Sequence, residues 1–544
     1  MQASQGPRRM GSAHELYHQP MQQVQQYYTP CRAFDNSIYN DSSSSGTQIS
    51  LKTQNEQFFI MDSFPVTDCA IYDAAPSVSV SSNRSPFSPQ CSPSCMSEPR
   101  RSFENACISS ASGCSGADDG SGKKHVLREL NNKLLRPEYD IDDSCSCSFD
   151  DAVAKSSSLT WRNQVLDVAS RLDLNDLLIS SAEAVAEADV TTAEILLSVL
   201  EKRVSISGEP MQRLSAYMLE GLRARLLSSG SIIYKKLKCN EPTSSELLSY
   251  MDVLYHICPY FKFAYMSANV VIGEAMKNES RIHVIDFQIA QGNQWVFFIH
   301  YLARRPGGPP FLRITGVDDS QSAHARGGGL QLVGERLATI AESCGVLFEF
   351  HNAALSGCQV KLEDLQVRHG ESLAVNFPFM LHHMPDESVS TMNHRDRLLR
   401  LVKSLSPKIV SLVEQEMNTN TAPFLLRFRE TLDYHKAMFE SVDVARPRDD
   451  KLRISAEEHC IARDVVNLIA CEGADRVERQ EPFGKWKSRL TMAGFTQCPL
   501  SPSVGEAING MLKEYSSNYS LAESQGVLYL GWKTRALATS SAWQ

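Results

Sequence analysis

The sequence predicts an α/β protein in which a mostly parallel sheet carries helices on both faces, preceded by a helical cap and a long disordered arm. Three observations predict this fold: a first part rich in Ser, Gln and Pro, a middle part with leucine stripes at helical spacing, and a later part where short apolar runs alternate with helical runs. Near-continuous apolar strands that alternate with helices are typical of a parallel sheet covered on both faces.

Residues 1–158 form the predicted arm. They contain no tryptophan, and they include low-complexity runs such as the Ser- and Pro-rich stretch at 77–94. A segment of this composition buries too little apolar surface to offset the entropy lost on folding, so we predict disorder. Three islands, at 17–28, 58–62 and 125–135, are either short motifs that fold onto a partner or chance hydrophobic content.

Residues 159–544 are predicted to be globular, with a helical cap over about 160–280. Apolar side chains recur there at helical spacing, as in the stripe that starts at Leu174. A threonine stands three residues before a glutamate in Thr191–Glu194 and in Thr243–Glu246, which is the spacing of a capping box, so each pair predicts the start of a helix.

The remaining residues, about 281–544, are predicted to form the α/β core. Strands are predicted at 281–287, 311–319, 346–352, 371–380 and 408–416, with helices at 293–305, 329–344 and 395–405. The runs at 495–501 and 526–543 predict late strands, and the closely spaced last two are expected to form an antiparallel hairpin at the sheet edge. Because proline lacks a backbone donor, we expect the fourth strand to end or bulge at Pro378.

One stretch, from His283 to Trp295, decides between an enzyme and a binding protein. It places Asp286 at the end of a strand, followed by a loop into a helix, which is where an α/β sheet of the Rossmann type binds a nucleotide or cofactor. A class I methyltransferase would use an acid and several glycines here, and a second acid at the end of the next strand, where Asp318 or Asp319 stands.

The loop from Asp286 to Gly292 departs from that pattern because it has a single glycine. The space in which a cofactor needs close approach to the backbone would be occupied by the side chains of Phe287, Gln288, Ile289 and Gln291. We therefore predict a Rossmann-like, methyltransferase-like sheet whose loop is vestigial and binds no cofactor. Asp286 is expected to cap the following helix or to bind loop amides, with ligand binding as the alternative.

Composition excludes several other classes. Formal net charge is −9 and the pI is about 5.9, which argues against a free-standing DNA binder. No apolar run reaches the roughly 18 residues of a membrane span, and the N-terminal sequence lacks a signal peptide. The fifteen cysteines are expected to be reduced thiols without zinc-finger spacing. His382 and His383 are adjacent just after the fourth predicted strand, and in an extended strand conformation they would point to opposite faces, so no metal site is predicted.

Several motifs in order resemble the GRAS family of plant regulatory proteins. The central motif is His283, Val284, Ile285 and Asp286. A leucine-rich block follows at 326–353, and later motif positions are Pro407, Tyr434, Arg476, Glu478, Arg479, Trp486, Trp532 and Trp543. The islands of the arm and the stretch at 374–407 resemble the branch associated with phytochrome A signal transduction. His435 and Pro378 depart from the family pattern, and both are expected to alter a local surface.

The resemblance implies a non-enzymatic transcriptional co-regulator or signalling scaffold, in light or in stress and hormone signalling. Its implied partners are DNA-binding transcription factors and other GRAS proteins, with homo- or hetero-dimers, indirect association with DNA, no cofactor and no membrane. Nucleus and cytoplasm are the implied compartments. The alternatives are a direct DNA-binding factor and an S-adenosylmethionine-dependent methyltransferase.

The late motif residues have two interpretations each. The tryptophans Trp486, Trp532 and Trp543 are either interface anchors or core residues. Arg476, Glu478 and Arg479 either form a salt-bridge network or lie on a solvated helical face.

Overall fold

The computed structural model describes residues 150–227, 244–319 and 329–544. The three islands and all of the predicted arm up to residue 149 lie outside the described residues, as does Thr243. Residues 150–164 belong to one compact unit and residues 165–544 to another, and the whole sheet lies within the second unit.

Helices fill the described chain before the first strand. They are α1 (Asp150–Arg171), α2 (Leu174–Ala186), α3 (Val190–Glu201), α4 (Pro210–Leu226), α5 (Ser244–Ile257) and α6 (Tyr260–Ala275). The capping box predicted at Thr191 is wrong. The N-cap is Asp189, two residues before Thr191, and its carboxylate accepts the Thr192 backbone N–H at 3.1 Å, because an aspartate is at least as good an N-cap as a threonine.

One sheet organises the rest of the chain. Its strands are β1 (Arg281–Asp286), β2 (Phe311–Val317), β3 (Phe348–Ala353), β4 (Ser372–Pro378), β5 (Ile409–Gln415), β6 (Gln497–Cys498), β7 (Tyr519–Ser524), β8 (Val527–Trp532) and β9 (Arg535–Trp543). The order is β3-β2-β1-β4-β5-β9-β8-β7, with β6 paired to β9. Strands β1 to β5 are parallel, and the winding direction reverses between β1 and β4, which places the topological switch point beside Asp286.

Helices connect the strands and cover the sheet. They are α7 (Asn293–Ala303), α8 (Gly329–Ser343), α9 (His394–Ser404), α10 (Phe424–Asp443), α11 (Lys451–Ala456), α12 (Ala462–Ala470), α13 (Phe483–Met492) and α14 (Pro502–Leu512), with a π-helical turn at Glu457–Ile461. One sheet face packs on α9 and α13, where Phe377, Leu398 and Trp486 meet in the core. Helices α6 and α10 contact strands of the sheet as well.

The end of the sheet differs from the sequence prediction in one respect. Strands β8 and β9 form the expected antiparallel hairpin, but the hairpin does not lie at the sheet edge. Strand β9 pairs with β5, and β7 pairs with β8 and takes the edge position. The buried ladder groups of β5 require a partner, and β9 supplies it. Strand β4 ends at Pro378, as its missing N–H predicted.

Candidate functional site: the strand-end loop and the charged loop

The strand-end loop, residues 287–292, connects β1 to α7 at the switch point. Gly292 caps α7 with φ at +73°, in the left-handed region that favours glycine. A Cβ added at this glycine would lie 2.9 Å from the Val333 side chain of α8, so the close approach of α8 also requires glycine here. The Arg336 guanidinium donates to the Gln291 carbonyl oxygen at 3.1 Å, which ties the loop to the same helix.

Asp286 is the acid at the centre of this site, and its side chain is 1% exposed. It does not cap α7. Its Oδ1 accepts the Gln288 backbone N–H at 3.2 Å, and its Oδ2 accepts the Trp295 indole N–H at 2.6 Å. Burial raises the pKa of Asp286 to about 7, against the lowering effect of these donors, and the nearby Asp318 carboxylate adds to the rise.

Side chains of the loop fill the space above the strand ends. Phe287 is buried and stacks on Phe377 of β4, with ring centroids 4.7 Å apart. Ile289 is buried against β2, where a Cβ added at Gly316 would lie 2.9 Å from its Cδ1 atom. A phosphate or adenosine group would have to displace these side chains, so the loop is packed as a structural element.

The remaining central motif residues lie inside β1. His283, Val284 and Ile285 are fully buried. The Arg313 guanidinium donates to His283 Nδ1 at 3.1 Å, and the other ring nitrogen lies 2.8 Å from the Thr315 hydroxyl. Burial and the Arg313 charge lower the pKa of His283 to about 3, so the ring is neutral and donates from Nε2.

The charged loop, residues 471–482 between α12 and α13, holds the Arg-Glu motif. All three of its motif residues are buried and none of them is helical, so the solvated helical face is wrong. Arg479 pairs with the Asp386 carboxylate at 3.2 Å, with both side chains at most 2% exposed. Arg476 donates to the carbonyl oxygens of Thr419 and Asn420, at 3.0 and 2.8 Å. The network holds the loop against the chain that follows β4 and β5.

His382 and His383 lie beside this loop, and they do not have the extended conformation on which the argument against a metal site depended. They form a single 3₁₀ turn after β4, which brings the two ring centroids within 4.1 Å of each other. Both rings face Glu478 of the charged loop. The fold therefore assembles two imidazoles and a carboxylate that a strand would have kept apart.

Tyr434, Pro407 and the tryptophans are structural. The Tyr434 hydroxyl donates to the Leu537 carbonyl oxygen of β9 at 3.0 Å, and Pro407 is buried before β5. Trp486, Trp532 and Trp543 are at most 2% exposed. None of the three can anchor a partner in this conformation, and the core interpretation holds.

The two departures from the family pattern are also buried. His435 is 4% exposed, and its Nδ1 donates to the Thr431 carbonyl oxygen one turn earlier in α10. Burial lowers the pKa of His435 to about 4, so the ring stays neutral. Pro378 is buried at the end of β4. Neither side chain forms part of the surface, so the expected effect on a local surface stays a prediction that would act through the backbone.

Sequence reasoning missed three buried charged residues that hold this region together. Arg395 of α9 donates to the carbonyl oxygens of Met384 and Arg479, at 2.8 and 3.0 Å. The Asp386 carboxylate pairs with the Arg479 guanidinium, and the Glu414 carboxylate of β5 accepts a hydrogen bond from His382. Only Glu414 could have been identified from the sequence, because it is an acid inside an otherwise apolar strand. No sequence feature marks Arg395 or Asp386, because the groups that they pair with in the charged loop lie far away in sequence.

No helix in the described ranges is both long enough and apolar enough to cross a bilayer.

Known proteins share both the sequence pattern and the fold of this chain. The model of the GRAS domain family matches residues 174–544. Scarecrow-like protein 13 of Arabidopsis thaliana is 55% identical over 546 residues, which covers 100% of this chain and 99% of that protein. Scarecrow-like transcription factor PAT1 of the same plant is 56% identical over 450 residues, covering 82% of this chain and 91% of that protein. The crystal structure of SCL7 in Oryza sativa is 34% identical with a TM-score of 0.60, and it covers 69% of this chain and 100% of that one. The predicted α/β fold is confirmed by this likeness.

Proposed function

Because the chain belongs to the GRAS domain family of plant regulatory proteins, we propose that it is a non-enzymatic transcriptional co-regulator and signalling scaffold. It binds DNA-binding transcription factors and other GRAS proteins, and it reaches DNA only through them. A role in plant transcription regulation follows from membership of the family.

The packing of the strand-end loop carries this proposal. Phe287 and Ile289 fill the space above the strand ends, and Asp286 is held by Trp295 instead of facing an open cleft. A fold can keep its architecture while its site serves a different purpose. These contacts support a protein that uses the methyltransferase-like sheet as a platform for binding.

We place the partner surface outside the motif residues themselves. The side chains of Arg476, Arg479 and Trp543 are buried, so a partner cannot touch them directly. They act by fixing the positions of the charged loop and the last strand. Substitutions at these residues therefore weaken partner binding through loss of the surface shape.

The organisation of the chain completes the proposal. Residues 1–158 serve as an arm with short interaction motifs, and residues 159–544 serve as the binding domain, with a cap over about 160–280 and a core over 281–544. The chain works in the nucleus, its cytoplasmic pool responds to signals, and pairs of chains assemble as homo- or hetero-dimers. The signal is light through phytochrome, or a stress or hormone signal.

The test is affinity purification of the tagged full-length chain from plant nuclei, with and without nuclease, followed by mass spectrometry. The matched sample is the same chain lacking residues 1–158. Recovery of DNA-binding transcription factors from both chains after nuclease treatment supports docking through the domain. Recovery that nuclease abolishes contradicts the proposal and favours direct DNA binding, which salt-dependent binding to duplex DNA would then reveal.

A second measurement addresses the enzymatic alternative. The dialysed full-length protein is titrated with S-adenosylmethionine in a calorimeter. We expect no binding heat, since Phe287 and Ile289 fill the loop. Saturable heat at a stoichiometry near one would overturn the non-enzymatic assignment.

A further inference from the structure

His382, His383 and Glu478 bring three metal-ligating groups to one place. One nitrogen from each imidazole and one carboxylate oxygen lie within 4.8 Å of one another. His383 Nδ1 is 3.2 Å from Glu478 Oε1, and His382 Nε2 is 3.7 Å from Glu478 Oε2. Adjacent ligands of a tetrahedral zinc ion with bonds of about 2.0–2.1 Å lie roughly 3.4 Å apart. The two measured separations bracket that value.

Neighbouring groups orient two of these ligands in the manner of a metal site. His382 Nδ1 lies 2.6 Å from Glu414 Oε2, and the other oxygen of Glu414 accepts the Leu381 backbone N–H at 2.8 Å. Gln480 donates to Glu478 Oε2 at 2.7 Å. An imidazole whose Nδ1–H donates a hydrogen bond to a carboxylate keeps its Nε2 lone pair available for a metal ion. This is the usual arrangement around a zinc-bound histidine.

Burial differs across the cluster in a way that leaves one side open. The side chains of His382 and Glu478 are 2% and 5% exposed, whereas that of His383 is 43% exposed. An ion can therefore reach the cluster past His383 without unfolding the turn. The two buried ligands belong to separate parts of the chain, the turn after β4 and the charged loop.

We propose that His382, His383 and Glu478 bind a single Zn²⁺ ion, with a water molecule as the fourth ligand. The donor set of two imidazoles and one carboxylate is one that zinc accepts. The bound ion joins the turn after β4 to the charged loop and so stabilises the region that also holds the Arg479–Asp386 pair. The competing explanation is an ion-pair network without metal, in which the carboxylates of Glu414 and Glu478 face imidazolium rings.

The test is a Zn²⁺ titration of the metal-stripped full-length protein against a competing chelator at pH 8, because protons compete with metal for histidine. The test variant is His383→Ala, whose exposed side chain can be removed with least damage to the fold. The matched control is His256→Ala, which removes another surface histidine that lies beside a carboxylate, that of Asp252 at 3.5 Å. The control is needed because the chain has 14 histidines, two of them in this cluster, and 15 cysteines, so zinc can also bind elsewhere.

We expect the wild type and His256→Ala to bind one more tight equivalent of Zn²⁺ than His383→Ala, and Zn²⁺ to raise the Tm of the first two more than that of the third. Substituting Co²⁺ should give the visible absorption of a tetrahedral site in the wild type and lose that component in His383→Ala. Glu414→Gln, which alters only the orienting group, should weaken this site by about 10- to 100-fold. Equal stoichiometry and equal Tm shifts in all of these proteins would overturn the proposal in favour of the ion-pair network.

Discussion

Replacing Asp286 with Asn should change how the stability of this protein depends on pH. The Asp286 carboxyl is buried beside the Trp295 indole, and burial raises its pKa from 3.8 to about 7. Asn has nearly the same shape and does not titrate. A comparison of the two proteins therefore isolates the proton bound at this carboxyl in the folded state.

The sign and size of the effect follow from linkage. Between about pH 4 and 7 the folded protein holds a proton on Asp286 that the unfolded chain has released, so wild-type stability falls as pH rises through this window. One proton corresponds to about 1.4 kcal/mol for each pH unit. From pH 5 to pH 8 the wild type should lose roughly 2–3 kcal/mol relative to Asp286→Asn, most of it below pH 7.

The assay is urea denaturation followed by circular dichroism at pH 5, 6, 7 and 8 for both proteins. Any constant cost of the Asn side chain cancels, since only the change of the difference with pH is used. Glu342→Gln, which alters an exposed carboxyl, serves as the control and should leave the profile parallel to that of the wild type. A difference between wild type and Asp286→Asn that stays constant with pH would refute the reasoning, because it would mean that the donors around Asp286 keep it ionised.

Three further substitutions, two of them with a comparison variant, test the packing of the protein by the same denaturation assay. Gly292→Ala should lower the free energy of unfolding by about 2–4 kcal/mol, because the left-handed φ of +73° adds strain and the added Cβ meets a neighbouring valine. Gly307→Ala, at φ +90° with nothing within 4 Å, should cost about 1 kcal/mol, and equal losses would contradict the steric argument. Arg479→Met should lower the free energy of unfolding by about 3–5 kcal/mol because it leaves the buried Asp386 carboxylate without its partner. Arg223→Met removes one member of a solvent-exposed pair and should change the free energy of unfolding little. A larger loss for Arg223→Met than for Arg479→Met would contradict this reasoning. Trp543→Ala should lower the free energy of unfolding by about 3–5 kcal/mol because Trp543 is a core residue. A loss near zero would mean that the side chain is not buried in the folded protein.

Much of the sheet could be predicted because its signals are local. Strands β1, β2, β4 and β5 are short apolar runs, and an apolar run bounded by polar residues reads as a buried strand wherever it pairs. The end of β4 at Pro378 followed from the chemistry of a single residue. The packed strand-end loop was expected for a similar reason, since Phe287 and Ile289 are too large for a phosphate cradle.

The parts that could not be predicted depend on distant partners. Nothing near Arg479 in sequence indicates that it pairs with Asp386, which lies 93 positions away. Nothing near β9 indicates that it pairs with β5 inside the sheet and does not lie at the sheet edge. The clustering of His382 and His383 was missed because the period of two that separates adjacent side chains holds only in a strand. A change of one local conformation there reversed the inference about metal binding.

The position of β9 has a consequence for the nascent chain. Strand β5 ends at Gln415, but its second neighbour begins only at Arg535, about 120 residues later. At a synthesis rate of about 5–20 residues per second, the β5 backbone groups that pair with β9 lack this partner for roughly 6 to 24 s. During that interval an apolar strand presents unpaired amides to other nascent chains on the same polysome. The hazard for this protein is therefore greatest on the ribosome, and a chaperone that covers β5 at that stage would raise the yield of folded protein without affecting the finished molecule.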